Sequence, residues 1–130
     1  VSVMAPDGIE ITFGMVNDPQ FGPVVMVSAG GTMIEILDDR AFAIAPIDEA
    51  EALRLLRGLK AWKLLLGARG KPPADIGRLA TALARFSAIC AGLEGVIAEL
   101  DVNPVIAGPE RALAVDAAIV LKTQAVQGPA

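Results

Sequence analysis

The sequence predicts an α+β fold, a largely antiparallel sheet with helices packed on one face. Three observations predict it. Short β-prone segments separated by tight turns fill the first 45 residues, helical periodicity runs over residues 48–93, and alternation returns over residues 95–121. Strands grouped before and after a block of helices, rather than alternating with them, are the pattern of an α+β architecture.

Each element has a local reason. Gly8–Val16 alternates apolar and polar residues as a half-buried strand does, and Gly22–Ala29 is a nearly continuous β-prone run. Thr32–Leu37 reads as a further strand behind a Gly30-Gly31 turn. Asp38-Asp39-Arg40 make the next turn into Ala41–Ala45, which Pro46 ends, so the first four strands are expected to run as a meander. Asp48 can cap a helix over 49–59, with Glu51 at the capping-box position and Leu53, Leu56 and Leu59 along one stripe. A second short helix over 60–66 breaks at Gly67-Ala68-Arg69-Gly70, and Pro72-Pro73 hold the chain extended. From Asp75 an amphipathic helix runs to about Leu93, with Ile76, Leu79, Leu83, Phe86, Ile89 and Cys90 expected to face the sheet. The closing hairpin joins 95–105 to 112–121. Residues 1–125 are thus expected to form one domain, with a frayed tail over 126–130.

Composition narrows the function. Apolar residues make up 54% of the chain, yet no apolar run nears the roughly 18 residues of a membrane helix. The net charge is −4 and the 11 Lys and Arg are scattered, so neither a membrane nor a nucleic acid is an expected partner. The single cysteine, Cys90, lies in an apolar helical pattern and fits a buried thiol in a reducing, cytoplasmic setting. With no histidine, the chain excludes Ser–His or Cys–His nucleophilic pairs and His-ligated zinc within itself, and no catalytic residue is assigned. It opens at Val1 without an initiator methionine or a signal-like segment and reads as part of something longer.

The most informative spacing lies in the hairpin. Gly108-Pro109-Glu110-Arg111 is a turn sequence, and folding the chain about Pro109 and Glu110 sets Asn103 directly opposite Asp116. Opposed side chains have Cβ atoms about 4.5–5.5 Å apart, near enough for two oxygens to share a cation. In this register Leu100, Val102, Pro104 and Ile106 share a dry face with Ile119, Ala117, Val115 and Leu113. Glu99, Asp101, Asn103 and Asp116 share the other. Like charges crowded there repel unless a cation sits among them, and hard oxygen ligands suit Mg²⁺. On spacing alone, a solvated polar face is the commoner arrangement.

Other segments carry weaker signals. Gly30-Gly31 can let a phosphate approach the backbone or can simply make a tight turn. Glu35, between Met33 and Leu37 on one face of its strand, is either buried with a partner or faces a site. Gly67–Lys71 has the look of an anion-binding turn, although a solvated helix–helix loop is the commoner explanation of such a pattern.

Taken together, the motifs resemble the C-terminal part of the ATP-grasp domain of ADP-forming acyl-CoA synthetases, relatives of the succinyl-CoA synthetase β subunit. The matching residues are Gly8-Ile9-Glu10, Asp18-Pro19 with Phe21-Gly22-Pro23, Gly30-Gly31 with Glu35 and Asp38, and Pro46. They continue through Gly67-Ala68-Arg69-Gly70, Asp101-Val102-Asn103-Pro104 and Ala114-Val115-Asp116-Ala117, spanning nearly the whole chain. The resemblance implies an enzyme that interconverts acyl-CoA, ADP and phosphate with free acid, CoA and ATP through an acyl phosphate and a phosphohistidine. It implies Asn103 and Asp116 as ligands of a phosphate-bridging Mg²⁺, with Gly30, Gly31, Glu35 and Asp101 at the nucleotide. Ser28 stands where the family carries the first glycine of Gly-x-Gly-Gly. The front half of the domain, with its adenine pocket and phosphate-gripping Lys and Arg, is absent. By this resemblance ATP or ADP binds only with that half, and the chain alone is inactive. Its partners are then the CoA-binding and phosphohistidine-bearing domains of a parent synthetase. The alternative is a non-catalytic remnant serving as an interaction or regulatory module.

Overall fold

The computed structural model describes residues 9–29, 39–67, 73–107, 112–114 and 117–122. Among the described residues six strands form one sheet in the order β3-β2-β1-β4-β5, with β6 also pairing β4. They are β1 (Ile9–Asp18), β2 (Gly22–Ala29), β3 (Arg40–Ile44), β4 (Ile97–Ala107), β5 (Ala112–Ala114) and β6 (Ala117–Leu121). Every pairing is antiparallel. Between the strand groups lie α1 (Glu49–Arg57), α2 (Trp62–Leu65) and α3 (Ile76–Gly92). The α+β class and its one-sided helical layer are those that the sequence predicts.

Alternation decides which face is buried. Ile11, Phe13 and Met15 of β1 and Val25 and Val27 of β2 point into the core, where Leu55 and Leu56 of α1, Leu65 of α2 and Leu79 and Leu83 of α3 cover them. The rings of Phe13 and Phe86 lie 5.5 Å apart and tilted, joining sheet to helix. Buried Ser87 ties the layers further, accepting from the Ile47 N–H at 2.9 Å and donating to the Ala84 carbonyl at 2.7 Å.

The helix starts follow their caps. Asp48 accepts from the Glu51 N–H at 2.8 Å, and Asp75 accepts from the Arg78 N–H at 3.1 Å. The Glu51 carboxylate pairs with Arg54 one turn on. The sequence extends α1 to residue 59, but the helix closes at Arg57 and Leu59 packs into the core from the following turn.

Three expectations need correction. The segment 32–37 lies outside the described residues, but β2 pairs directly with β3 from Val24↔Ile44 to Ser28↔Arg40, so no strand separates them as the meander requires. Ile89 is 54% exposed; the buried stripe of α3 runs through Leu79, Leu83, Phe86 and Cys90, from which Ile89 is turned by about 100°. The dry face of the hairpin also differs. Val105 is buried opposite Ile11, out of step with Leu100 and Val102. The cause is a bulge: Thr12 of β1 alone faces the two residues Asn103 and Pro104 of β4. A proline inside this strand is tolerable there because a bulged residue has no ladder bond to donate. Ile119, placed by the sequence on the same dry face, is 55% exposed because β6 pairs only with β4, at the margin of the sheet.

Among the described residues no helix is long and apolar enough to cross a membrane.

Candidate functional site

The face of the sheet turned away from the helices is the site's floor, and strand register arranges it in rows. One row runs Ile44–Val24–Val16–Glu99–Val120, and the next runs Phe42–Met26–Gly14–Asp101–Ala118. A third carries Arg40, Ser28 and Thr12 toward the bulge at Asn103 and Pro104. Val16, Phe42, Ile44 and Val120 are each half exposed or more, an unusual concentration of bare apolar side chains. The floor therefore offers an apolar half across β1, β2 and β3 and an acidic half on β4, with bare Val120 on β6 beyond it.

On the acidic half, Glu99, Asp101 and Asn103 are all exposed. Positions two apart on a strand are separated by roughly 6.5–7 Å, a spacing at which Asp101 and Asn103 could reach neighbouring parts of one ligand. The bulge bears on where Asn103 points, since bulges re-aim side chains and are common beside active sites. Among the described residues no three His, Cys, Asp or Glu converge as a metal cage. This donor set fits Mg²⁺ nonetheless, because that ion usually keeps several waters and takes only one or two protein oxygens beside phosphates.

Of the residues that the sequence singles out, Gly30, Gly31, Glu35 and Asp116 lie outside the described residues. The described pairs on either side of residues 115 and 116 are informative all the same. Leu100↔Ile119, Asp101↔Ala118 and Val102↔Ala117 on one side, and Val105↔Ala114 to Ala107↔Ala112 on the other, keep the single register that a fold about Pro109 and Glu110 requires.

The Asp18-Pro19 and Phe21-Gly22-Pro23 motifs sit at the opposite end of the sheet and have structural work there. The Asp18 carboxylate accepts from the N–H groups of Gln20 and Phe21 at 2.7 and 3.1 Å, closing the β1–β2 hairpin. Gly22 takes φ +78, a conformation that side chains rarely adopt. The Asn17 amide donates to the carbonyl of Ile97, binding this hairpin to the start of β4.

Sequence reasoning passed over Gly14 and Met26 in the floor and the bare Phe42 and Ile44. An isolated glycine within an alternating strand signals a close approach, and Gly14 is one. The exposure of Phe42 and Ile44 has no sequence signal, since an apolar residue on an uncovered strand face reads like any core residue.

Residues 1–121 match a family model described as an ATP-grasp domain. The chain is 43% identical over 118 residues to the acetate–CoA ligase [ADP-forming] I subunit beta of Pyrococcus furiosus, covering 91% of this chain and 50% of that one. It is 44% identical over 105 residues to the acetate–CoA ligase [ADP-forming] I of Archaeoglobus fulgidus, covering 81% of this chain and 15% of that one. The fold matches, at TM-score 0.84 and 45% identity, a dinucleotide-forming acetyl-coenzyme A synthetase 1 of Ca. Korarchaeum cryptofilum, covering 91% of this chain and 55% of that one. That structure is a complex with coenzyme A and Mg-AMPPCP, its phosphohistidine segment pointing towards the nucleotide binding site. The chain spans about half the length of the beta subunit that it matches and a smaller share of the longer ligase. It belongs to the ATP-grasp domain family, in the branch that includes the ADP-forming acetate–CoA ligases.

Proposed function

We propose that this chain is the nucleotide- and Mg²⁺-binding half-domain of an ADP-forming acyl-CoA synthetase, a cytoplasmic enzyme interconverting acyl-CoA, ADP and phosphate with free acid, CoA and ATP. The observation that carries the proposal is the β4 hairpin. Its described pairs on both sides of Asn103 share one register, which supports the sequence expectation for residue 116, and Asp101 and Asn103 stand exposed on the helix-free face. Asn103 and Asp116 would hold the cation, with Asp101, Gly30, Gly31 and Glu35 at the nucleotide. Bound there, Mg²⁺ supplies charge neutralisation to the phosphates during transfer. The protein's share is to orient the phosphates and, with the opposing wall in place, to exclude water; no side chain of this half needs to move a proton.

The same reading explains the bare apolar half of the floor, which becomes one wall of a cleft whose other wall lies in the remaining domains of the parent. The isolated chain is then inactive and binds Mg²⁺ weakly, lacking the phosphates that are its strongest partners. The second reading, a retired domain serving as an interaction or regulatory module, draws on Ser28, which replaces a glycine where the backbone would meet phosphate.

The test is made in the full-length protein at saturating Mg²⁺. Asp116→Asn should lower the rate on the order of a hundredfold or more, a few kcal/mol of transition-state stabilisation. Glu110→Gln, which removes a like charge at the turn, should leave the rate near wild type. Equal, near-wild-type rates for both would reduce the hairpin carboxylates to a solvated face.

A further inference from the structure

Gly14 lies in the middle of the open face, paired to Asp101 on one side and Met26 on the other. It is the one glycine in the floor's central rows, and nothing about its backbone demands glycine, since its φ is not in the left-handed region. Space demands it. A Cβ built on Gly14 would stand 3.0 Å from Asp101 Oδ1 and 3.1 Å from the Met26 methyl, Cε. Both side chains therefore lie over the glycine, and a Cβ there would press the carboxylate and the methyl away by a few tenths of an ångström. Among the described residues Asp101 accepts no hydrogen bond and meets no cation that would otherwise hold it there.

Taking the Mg²⁺-nucleotide reading above as given, we propose that Gly14 is a positioning residue: its missing side chain opens the slot in which the Asp101 carboxylate lies, and so aims that carboxylate at the hydration shell of the nucleotide-bound Mg²⁺. Asp101 is two residues from Asn103 on the same strand, about one water's reach beyond a ligand oxygen at Asn103. A carboxylate at that distance accepts hydrogen bonds from metal-bound water, and outer-shell partners of this kind are worth roughly 10- to 100-fold in metal affinity. Met26 closes the slot from the β2 side with an apolar methyl, which offers the carboxylate no competing donor.

The experiment is a double-mutant cycle on the full-length protein, read by Mn²⁺ binding in the presence of ADP with electron paramagnetic resonance. Gly14→Ala should weaken Mn²⁺ binding by roughly tenfold or more, and Asp101→Ala should do the same. In the Asp101→Ala background, Gly14→Ala should add less than about twofold, because no carboxylate remains to be displaced. Adding Met26→Ala to Gly14→Ala relieves the second contact and should not restore affinity, which separates displacement of Asp101 from general crowding. Full additivity in the cycle, recovery on Met26→Ala, or an unchanged Mn²⁺ affinity for Gly14→Ala would each overturn the proposal. Asp116→Asn distinguishes the two levels. If it weakens Mn²⁺ binding while Gly14→Ala does not, only the positioning role fails; if neither weakens it, the metal site fails with it.

Discussion

Asp39 shows how much one side chain can hold. Its carboxylate is buried and accepts the N–H of Lys60 at 2.6 Å and that of Ala61 at 2.8 Å, while its own carbonyl accepts from Ala29 at the end of β2. A charge is tolerable at this depth because donors meet it. Asp39→Ala should cost about 2–4 kcal/mol in denaturant unfolding by leaving two amides unmatched, and Asp39→Asn, which keeps one acceptor oxygen, should cost less. The reach from residue 39 to residues 60 and 61 is not legible in the sequence, since nothing local records it. Cys90 is the opposite case, a thiol that both pattern and structure bury. Burial pushes its pKa up to about 11. Because the folded pKa lies above the unfolded one, the protonated thiol favours the fold below about pH 9, and that contribution fades as pH rises toward 11. The stability gap between wild type and Cys90→Ala should therefore narrow over this interval, measured by urea unfolding at each pH.

At the scale of elements, helix starts were readable because their causes are local. Asp48 and Asp75 cap α1 and α3 as their spacing implies. Asp48→Ala should lower stability by about 1 kcal/mol, seen as a lower urea midpoint with unchanged slope. The β4 hairpin register was equally readable, since a turn sequence and a period of two fix it. The bulge at Asn103 and Pro104 was not. It exists only in relation to β1, where Thr12 faces two residues, and no property of β4 by itself announces a partner strand ninety positions earlier in the chain. That bulge moves Val105 into the core and ends the strict alternation that the sequence suggests.

At the scale of the molecule, one face of the sheet carries the stability and the other the candidate site. Leu79, fully buried against the sheet, should cost about 2–5 kcal/mol when replaced by Ala. Phe42 is 56% exposed on the helix-free face, so Phe42→Ala should change unfolding free energy by no more than about 0.5 kcal/mol. In the full-length protein the same substitution should weaken ADP binding several-fold, measured by calorimetry, because the apolar half of the floor is then a wall of the cleft. An ADP affinity unchanged by Phe42→Ala would remove that half from the site.

Taken by itself, the sequence determined the class of fold, the helix caps, the hairpin about Pro109 and Glu110, and the placing of Asp101 and Asn103 on one polar patch. These rest on interactions between near neighbours, where residue spacing is already geometry. Tertiary structure alone decided that β2 lies beside β3, that Asn103 sits at a bulge, that Phe42 and Ile44 are bare, and that Gly14 makes room for Asp101. Each of these depends on which strand stands next to which, and strand neighbours are chosen by burial summed over the whole sheet rather than by any segment of it.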